Sequence, residues 1–373
     1  MEYLLLISGF VILLYSGNYL VRGSISLAHK YRVSTLVIGV TVVSFGTSAP
    51  ELFVSVIAAA QGHPAITVGN IIGSNIANIA LVLAATSIII PIPVKTNTIK
   101  YDWPVMMITS IIFYIFILYG YLRLWQGIIF IVFLVSYVFL SLFFSKKNYE
   151  PATGTKLHMH NTLPFTLLFI FFISIGLLLF SSYPVINLVL VLILISYSLV
   201  SLFFPKKNHI PSTGKKIQVQ YSLPVALLVI SLSAICLALS SYLLVNNAVS
   251  IAKNIGISER VISISVIAFG TSVPELATSM IAAFKKEMDI SIGNIIGSNI
   301  FNILGVLGIA SLITPIPINE MILKVDVLWM LGISFLLLLF ILPLKGGKLT
   351  RMKGTTLLVI YCVYIYLLFI KPS

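Results

Sequence analysis

The sequence predicts an all-α polytopic membrane protein with about 12 transmembrane helices, built around an internal duplication. Two observations carry this. The 373-residue chain is 59% hydrophobic and only 9% charged, with a mean hydropathy of +1.10; a soluble globular chain carries roughly 25% charged residues. Apolar runs near the length needed to cross a bilayer also recur along the whole chain. Continuous apolar runs select helices over a closed barrel, the other structure that satisfies its backbone in lipid.

Soft breaks at Pro, Gly, Asn and Lys place the spans at 3–21, 33–60, 65–91, 103–120, 124–144, 163–181, 184–204, 222–246, 258–284, 289–314, 326–343 and 353–370. With the N-terminus outside, 18 of the 23 Lys and Arg residues fall in inner loops, so both termini are expected to be extracellular, in the cell (plasma) membrane. The formal charge of +13 is thereby assigned to topology rather than to nucleic-acid binding. Cys236 and Cys362 lie inside apolar runs and suggest neither a disulfide nor a metal motif. The five histidines sit in or beside connecting segments, and no cleavable leader is expected.

Two stretches organise the rest. SFGTSAPELFVSVIAAA (Ser44 to Ala60) is followed by ITVGNIIGSNIANIALVL (Ile66 to Leu83). AFGTSVPELATSMIAAF (Ala268 to Phe284) is followed by ISIGNIIGSNIFNILGVL (Ile290 to Leu307). The copies align without a gap at an offset of 224, with more than half of the positions identical from Val37 to Pro93. Identity of polar residues at identical spacings is not a by-product of hydrophobic composition. By the span count, 33–60 and 258–284 run in opposite senses. The duplication is therefore expected to be an inverted repeat, a recurring design of secondary transporters. A second duplication, SLFFSKKNYEPATGTK (Ser141 to Lys156) and SLFFPKKNHIPSTGKK (Ser201 to Lys216), marks an extra central hairpin without ionisable residues in its spans. It is read as a tandem duplication without chemistry.

Of ten acidic residues, eight are placed near loops or span ends, Asp102 and Asp326 among them; Glu51 and Glu275 are placed deep in apolar spans. An acidic side chain at a helix centre costs about 2.5–3.5 kcal/mol on insertion scales and calls for a partner or a wet cavity. With no intramembrane Lys or Arg nearby, two such carboxylates call for a cation. Pro50 and Pro274 should kink their helices and free carbonyls, here those of Gly46 and Gly270, while Thr47, Ser48, Thr271 and Ser272 add hydroxyls. Carboxylates, carbonyls and hydroxyls together suit hard cations such as Ca²⁺ and Na⁺. In the second segment of each copy, Asn70, Ser74 and Asn78 share a face, as do Asn294, Ser298 and Asn302. Gly69, Gly73, Gly293 and Gly297 form small stripes for close helix packing. Ser74, Asn78, Ser298 and Asn302 are expected to reach the site, while Asn70 and Asn294 divide evenly between site and structural roles.

At GTSAPE…GNIIGSNIAN and GTSVPE…GNIIGSNIFN the chain resembles the cation/Ca²⁺ exchanger superfamily, in particular prokaryotic sodium/calcium exchangers with their paired alpha repeats. The resemblance implies two inverted five-helix halves. The organisation is then an N-terminal half (1–145), an inserted hairpin with its loops (146–210) and a C-terminal half (211–373). It implies Glu51 and Glu275 as shared Ca²⁺/Na⁺ carboxylates, with Thr47 and Thr271 supplying carbonyls or hydroxyls. Ser44, Ser48 and Ser74 would line one flanking Na⁺ site, and the Ala268 carbonyl, Ser272 and Ser298 the other. Asn78 and Asn302 would stand at the centre. Asn302 occupies a position where potassium-dependent relatives carry Asp, which argues for K⁺ independence. The implied activity is Na⁺/Ca²⁺ antiport with Ca²⁺ extrusion, and H⁺/Ca²⁺ antiport is the alternative. A channel fits a pair of pseudo-symmetric broken helices less well than alternating access does. An enzyme lacks an intramembrane base beside the GTS serines. No cofactor is expected, only the transported ions, and no partner beyond the lipid bilayer and small cations.

Overall fold

The computed structural model describes residues 2–147, 221–254, 261–342 and 347–370, which belong to one compact unit built from 1–147 and 219–373. The expected hairpin spans, 163–204, lie outside the described residues. The helices are α1 (Glu2–Tyr31), α2 (Thr35–Thr47), α3 (Ala49–Ala60), α4 (Pro64–Ile89), α5 (Thr98–Ile117), α6 (Leu124–Lys147), α7 (Leu223–Asn254), α8 (Ile262–Phe284), α9 (Met288–Ile313), α10 (Ile322–Ile341) and α11 (Arg351–Ile370). Among the described residues eight helices are long and apolar enough to cross a bilayer, or nine if α2 and α3, bent by 45°, form one span.

The sequence duplication is also a structural one. α4 and α9, and α5 and α10, have matching lengths at the offset of 224, and each pair carries π-helical turns at matching positions: Asn78–Leu83 with Asn302–Leu307, and Thr98–Asp102 with Ile322–Asp326. The repeated Pro-Ile-Pro runs after α4 and α9 form two-residue strands, β1 (Ile92–Pro93) and β3 (Ile316–Pro317). β1 pairs antiparallel with β4 (Lys348–Leu349), and β3 pairs antiparallel with β2 (Tyr121–Leu122). Ile92 and Ile316 point into the protein and are fully buried.

α4 and α9 form the centre, with 83% and 89% of their apolar windows buried against 17% for α6 and 22% for α11. Their glycines explain how they get there. A Cβ on Gly73 would lie 2.4 Å from the Ile264 carbonyl oxygen, and one on Gly297 would lie 2.3 Å from that of Val40. No side chain fits there, so α4 closes on the start of α8 and α9 closes on α2, as the small stripes led one to expect. α1 packs along α7 and α8, where Leu13, Leu20, Val21, Leu237 and Ala277 share an apolar cluster.

The two proline kinks differ. In the first copy the helix breaks at Ser48 and restarts with Pro50 in the first turn of α3. In the second, α8 runs unbroken through Pro274. Proline removes the N–H that would have paired with the carbonyl four residues earlier. In α8 that carbonyl, Gly270 O, accepts a hydrogen bond from Ser241 Oγ of α7 at 2.9 Å. The corresponding position of the first half is Gly17, which has no side chain to donate, and in that half the helix breaks at Ser48.

Candidate ion-binding site

Glu51 and Glu275 are fully buried. Glu51 lies in the first turn of α3, where the positive end of the helix dipole favours a carboxylate. Glu275 lies mid-way along α8, one residue after its proline. Glu275 Oε1 accepts from Ser48 Oγ at 3.0 Å and from Ser298 Oγ at 3.2 Å, so a hydroxyl from the first copy holds the carboxylate of the second. Glu275 Oε2 and both oxygens of Glu51 are buried without a hydrogen-bond partner.

Two hydroxyl clusters flank the carboxylates, and each crosses between the copies. In one, Thr47 Oγ1 donates to Asn294 Oδ1 at 3.0 Å and lies 3.4 Å from Ser298 Oγ. In the other, Thr271 Oγ1 is 3.2 Å from Asn70 Oδ1 and 3.2 Å from Ser74 Oγ, and the Ala268 carbonyl is 3.5 Å from Ser74 Oγ. Within these clusters Thr47 and Thr271 make contact through their hydroxyls, and Ala268 through its carbonyl. The flanking groups are not assorted as the resemblance implied. Ser74 stands with Ala268 and Thr271, and Ser298 stands with Thr47 and Ser48, because each α4 or α9 face packs on the opposite copy's kinked helix. Ser44 Oγ donates to the carbonyls of its own helix, Val40 O and Thr41 O. Ser272 Oγ is buried without a partner. The freed Gly270 carbonyl is engaged by Ser241 instead of standing open to an ion.

Asn70 and Asn294 turn out to be crosslinks. Each amide nitrogen donates within its own copy, to Ser55 Oγ at 3.2 Å and to Ser279 Oγ at 3.1 Å, while the oxygen serves the threonine of the other copy. Asn78 and Asn302 sit one turn beyond Ser74 and Ser298, at the start of π-helical turns. Asn78 Nδ2 donates to Asn299 Oδ1 at 3.0 Å and Asn302 Nδ2 donates to Asn75 Oδ1 at 3.1 Å, and both Oδ1 atoms are buried without partners.

Five orphaned atoms thus belong to the carboxylates and central amides: Glu51 Oε1 and Oε2, Glu275 Oε2, Asn78 Oδ1 and Asn302 Oδ1. All five are acceptors. A buried polar atom without a partner costs about 1–3 kcal/mol, and more when it is charged, so a set of unpartnered carboxylate and amide oxygens among hydroxyls fits a hard cation. Among the described residues no three His, Cys, Asp or Glu side chains cluster, so such a cation would rely on amide and hydroxyl oxygens as well as carboxylates.

The sequence reading missed two sets of residues. Asn75 and Asn299 are buried at the contact between α4 and α9. Asp102 and Asp326, placed at span ends by hydropathy, are buried at the starts of α5 and α10. Tyr137 Oη donates to Asp102 Oδ1 and Tyr364 Oη to Asp326 Oδ1, each at 3.2 Å. The available signal was the offset itself, since both pairs recur at 224.

The family model described as sodium/calcium exchanger protein matches residues 1–143 and 225–370. A putative antiporter, CaxA, of Alkalimonas amylolytica is 34% identical over 97% of this chain and 96% of its own length. The sodium/calcium exchanger MaX1 of Methanosarcina acetivorans is 30% identical over 99% of this chain and 98% of its own. A solved structure of the sodium–calcium exchanger NCX_Mj, soaked with 2.5 mM Na⁺ and 1 mM Sr²⁺, superposes with a TM-score of 0.69 at 26% identity, covering 98% of this chain and 97% of that one. With the motif copies matched inside a model that spans most of the chain, this protein belongs to the sodium/calcium exchanger family of membrane transporters.

Proposed function

We propose that the chain exchanges Na⁺ for Ca²⁺ across the cell membrane by alternating access, with Ca²⁺ extrusion as its direction and no need for K⁺. The observation that carries this is the set of orphaned acceptor oxygens around Glu51 and Glu275. Two carboxylates balance one Ca²⁺, or hold Na⁺ ions with help from neutral oxygens. Empty, the site would carry uncompensated negative charge, which resists crossing between access states, so a bound cation is required in each direction. In this reading Glu51, Glu275, Asn78 and Asn302 hold the shared ion. Thr47, Ser48 and Ser298, with Ser44 on the same helix, flank it on one side. Ala268, Thr271 and Ser74, with Ser272, flank it on the other.

The reciprocity of the contacts supports a two-fold relation between the copies, and the opposite senses of their spans in the charge-based topology would put that two-fold in the membrane plane. Thr47 meets Asn294 as Thr271 meets Asn70, and Asn78 meets Asn299 as Asn302 meets Asn75. The two copies would then be equivalent halves that exchange access by rocking about the shared site. Twelve spans, with both termini outside, complete the proposal.

The test is radioactive Ca²⁺ uptake into proteoliposomes loaded with Na⁺ and diluted into Na⁺-free, K⁺-free buffer. Uptake that depends on the outward Na⁺ gradient supports the proposal. Uptake driven by a proton gradient alone replaces it with H⁺/Ca²⁺ antiport, and flux without any counter-ion dependence replaces it with a channel.

A further inference from the structure

At the contact of α4 and α9, four asparagines from the two copies form a relay with a reciprocal pair, Asn75 and Asn299, at its middle. Asn75 Nδ2 donates to the Asn299 carbonyl at 3.4 Å, and Asn299 Nδ2 donates to the Asn75 carbonyl at 3.2 Å. The same two nitrogens lie 3.6 Å from Met330 Sδ and 3.7 Å from Met106 Sδ. All four of these neighbours are acceptors, and a backbone carbonyl can be nothing else.

That fact settles the direction of every amide in the group. Turning the Asn75 side chain over would set its oxygen against the Asn299 carbonyl oxygen, and likewise for Asn299 against Asn75. Their Oδ1 atoms must therefore face away from each other's backbone. Asn75 Oδ1 meets Asn302 and Asn299 Oδ1 meets Asn78, so those two side chains must present nitrogen to the relay. What remains for Asn78 and Asn302 is one oxygen each, buried and unpartnered. Asn302 is one turn beyond Ser298, the hydroxyl on Glu275, and Asn78 is one turn beyond Ser74, the hydroxyl beside Thr271, so each shares a helix face with a residue of the site.

We infer that Asn75 and Asn299 are positioning residues for ion binding: each, anchored on the other's backbone carbonyl, fixes the central asparagine of the opposite copy with its oxygen toward the ion. The inference rests on the proposed role of Asn78 and Asn302 as ion ligands. Without the relay an asparagine could present its NH₂ group to the site, which repels a cation; with it, only oxygen is offered. The relay also makes the geometry of each half's central ligand a property of the other half.

The experiment is a double-mutant cycle on Ca²⁺ binding, read by equilibrium dialysis of the purified full chain against radioactive Ca²⁺ in Na⁺-free detergent buffer. Asn299→Ala should raise the Ca²⁺ concentration for half-saturation about tenfold or more, the usual scale for losing an outer-shell partner of a metal ligand. Asn78→Asp presents an oxygen whichever way its side chain turns. It also sets an oxygen against Asn299 Oδ1, so in that background the same Asn299→Ala change should cost nothing or improve binding, because orientation is no longer at stake and two facing acceptors are separated. Asn75→Ala with Asn302→Asp gives the mirror cycle and stands in if either first variant fails to fold. Equal losses from the alanine substitution in both backgrounds, or no loss in either, would overturn the inference while leaving the site intact. Failure of the wild-type chain to bind Ca²⁺ at all would overturn the reading of the site, and the inference with it.

Discussion

Gly297→Ala isolates the close approach of α9 to α2 that brings the second copy's polar face onto the first copy's kinked helix. The added Cβ would sit 2.3 Å from the Val40 carbonyl oxygen, 2.6 Å from Val40 Cα and 2.8 Å from Ser44 Oγ. Two of these three atoms are backbone and cannot rotate aside. Restoring ordinary contact requires the helices to part by roughly 1 Å. Overpacking of this kind costs about 1–3 kcal/mol, against a gain of about 0.5–1 kcal/mol for replacing glycine inside a helix. The net loss should lower the melting temperature in detergent by a few degrees, which is about what 1–2 kcal/mol produces in a large chain. Since Ser44, Thr47 and Ser48 ride on α2 and its junction with α3, Na⁺-driven Ca²⁺ uptake should fall as well, by up to about 100-fold for a displacement near 1 Å. Gly332→Ala is the control: nothing lies within 4 Å of its Cβ, so it should melt at or above the wild-type temperature with normal uptake. If Gly297→Ala matches the wild type in both melting and uptake, the account of close packing at this contact is wrong.

Other substitutions test the supporting contacts. Tyr137→Phe removes the hydroxyl that donates to buried Asp102 and should destabilise the chain by about 1–3 kcal/mol in thermal melting, with the Ca²⁺ concentration for half-maximal uptake unchanged. Ser241→Ala deprives the Gly270 carbonyl of the donor that answers Pro274; a loss of about 1 kcal/mol is expected, and wild-type stability would count against that role. Lys285, just past the end of α8, has its pKa lowered from 10.5 to about 8 by partial burial and by the nearby Arg22 guanidinium. The unfolded chain then holds a proton there that the folded chain has lost between those two values, so this residue makes stability rise with pH across that window, a slope that Lys285→Gln should abolish. Its neutral fraction at pH 8 should also make it open to acylation there, as read by peptide mapping.

Much of the site was legible because duplication made the polar residues of the spans countable twice. Glu51 and Glu275 are buried, and Gly73 and Gly297 lie against neighbouring backbone, as their spacing led one to expect. Asn75 and Asn299 escaped because a reading by fours from Asn70 to Ser74 to Asn78 assigns them to another face; only the contact of α4 with α9 shows that this face meets its own copy. Asp102 and Asp326 escaped because hydropathy places a span boundary at an acidic residue, whereas a tyrosine on another helix allows the carboxylate to enter the protein. The assortment of flanking hydroxyls could not be read from one copy at a time, since it depends on which helix faces which across the repeat. The different courses of the two helices at their prolines could not be read from the motifs, since the donor to the Gly270 carbonyl is Ser241, outside both copies.

The central claim is that Glu51 and Glu275 hold one exchangeable Ca²⁺ that Na⁺ displaces. Its most direct test is equilibrium Ca²⁺ binding to the purified chain with increasing Na⁺, repeated for Glu51→Gln and Glu275→Gln, each first shown by melting to be folded. The account predicts one Ca²⁺ per wild-type chain, displaced by Na⁺ and lost in each variant alone. Saturable Ca²⁺ binding that survives both substitutions, or that Na⁺ does not displace, would contradict it.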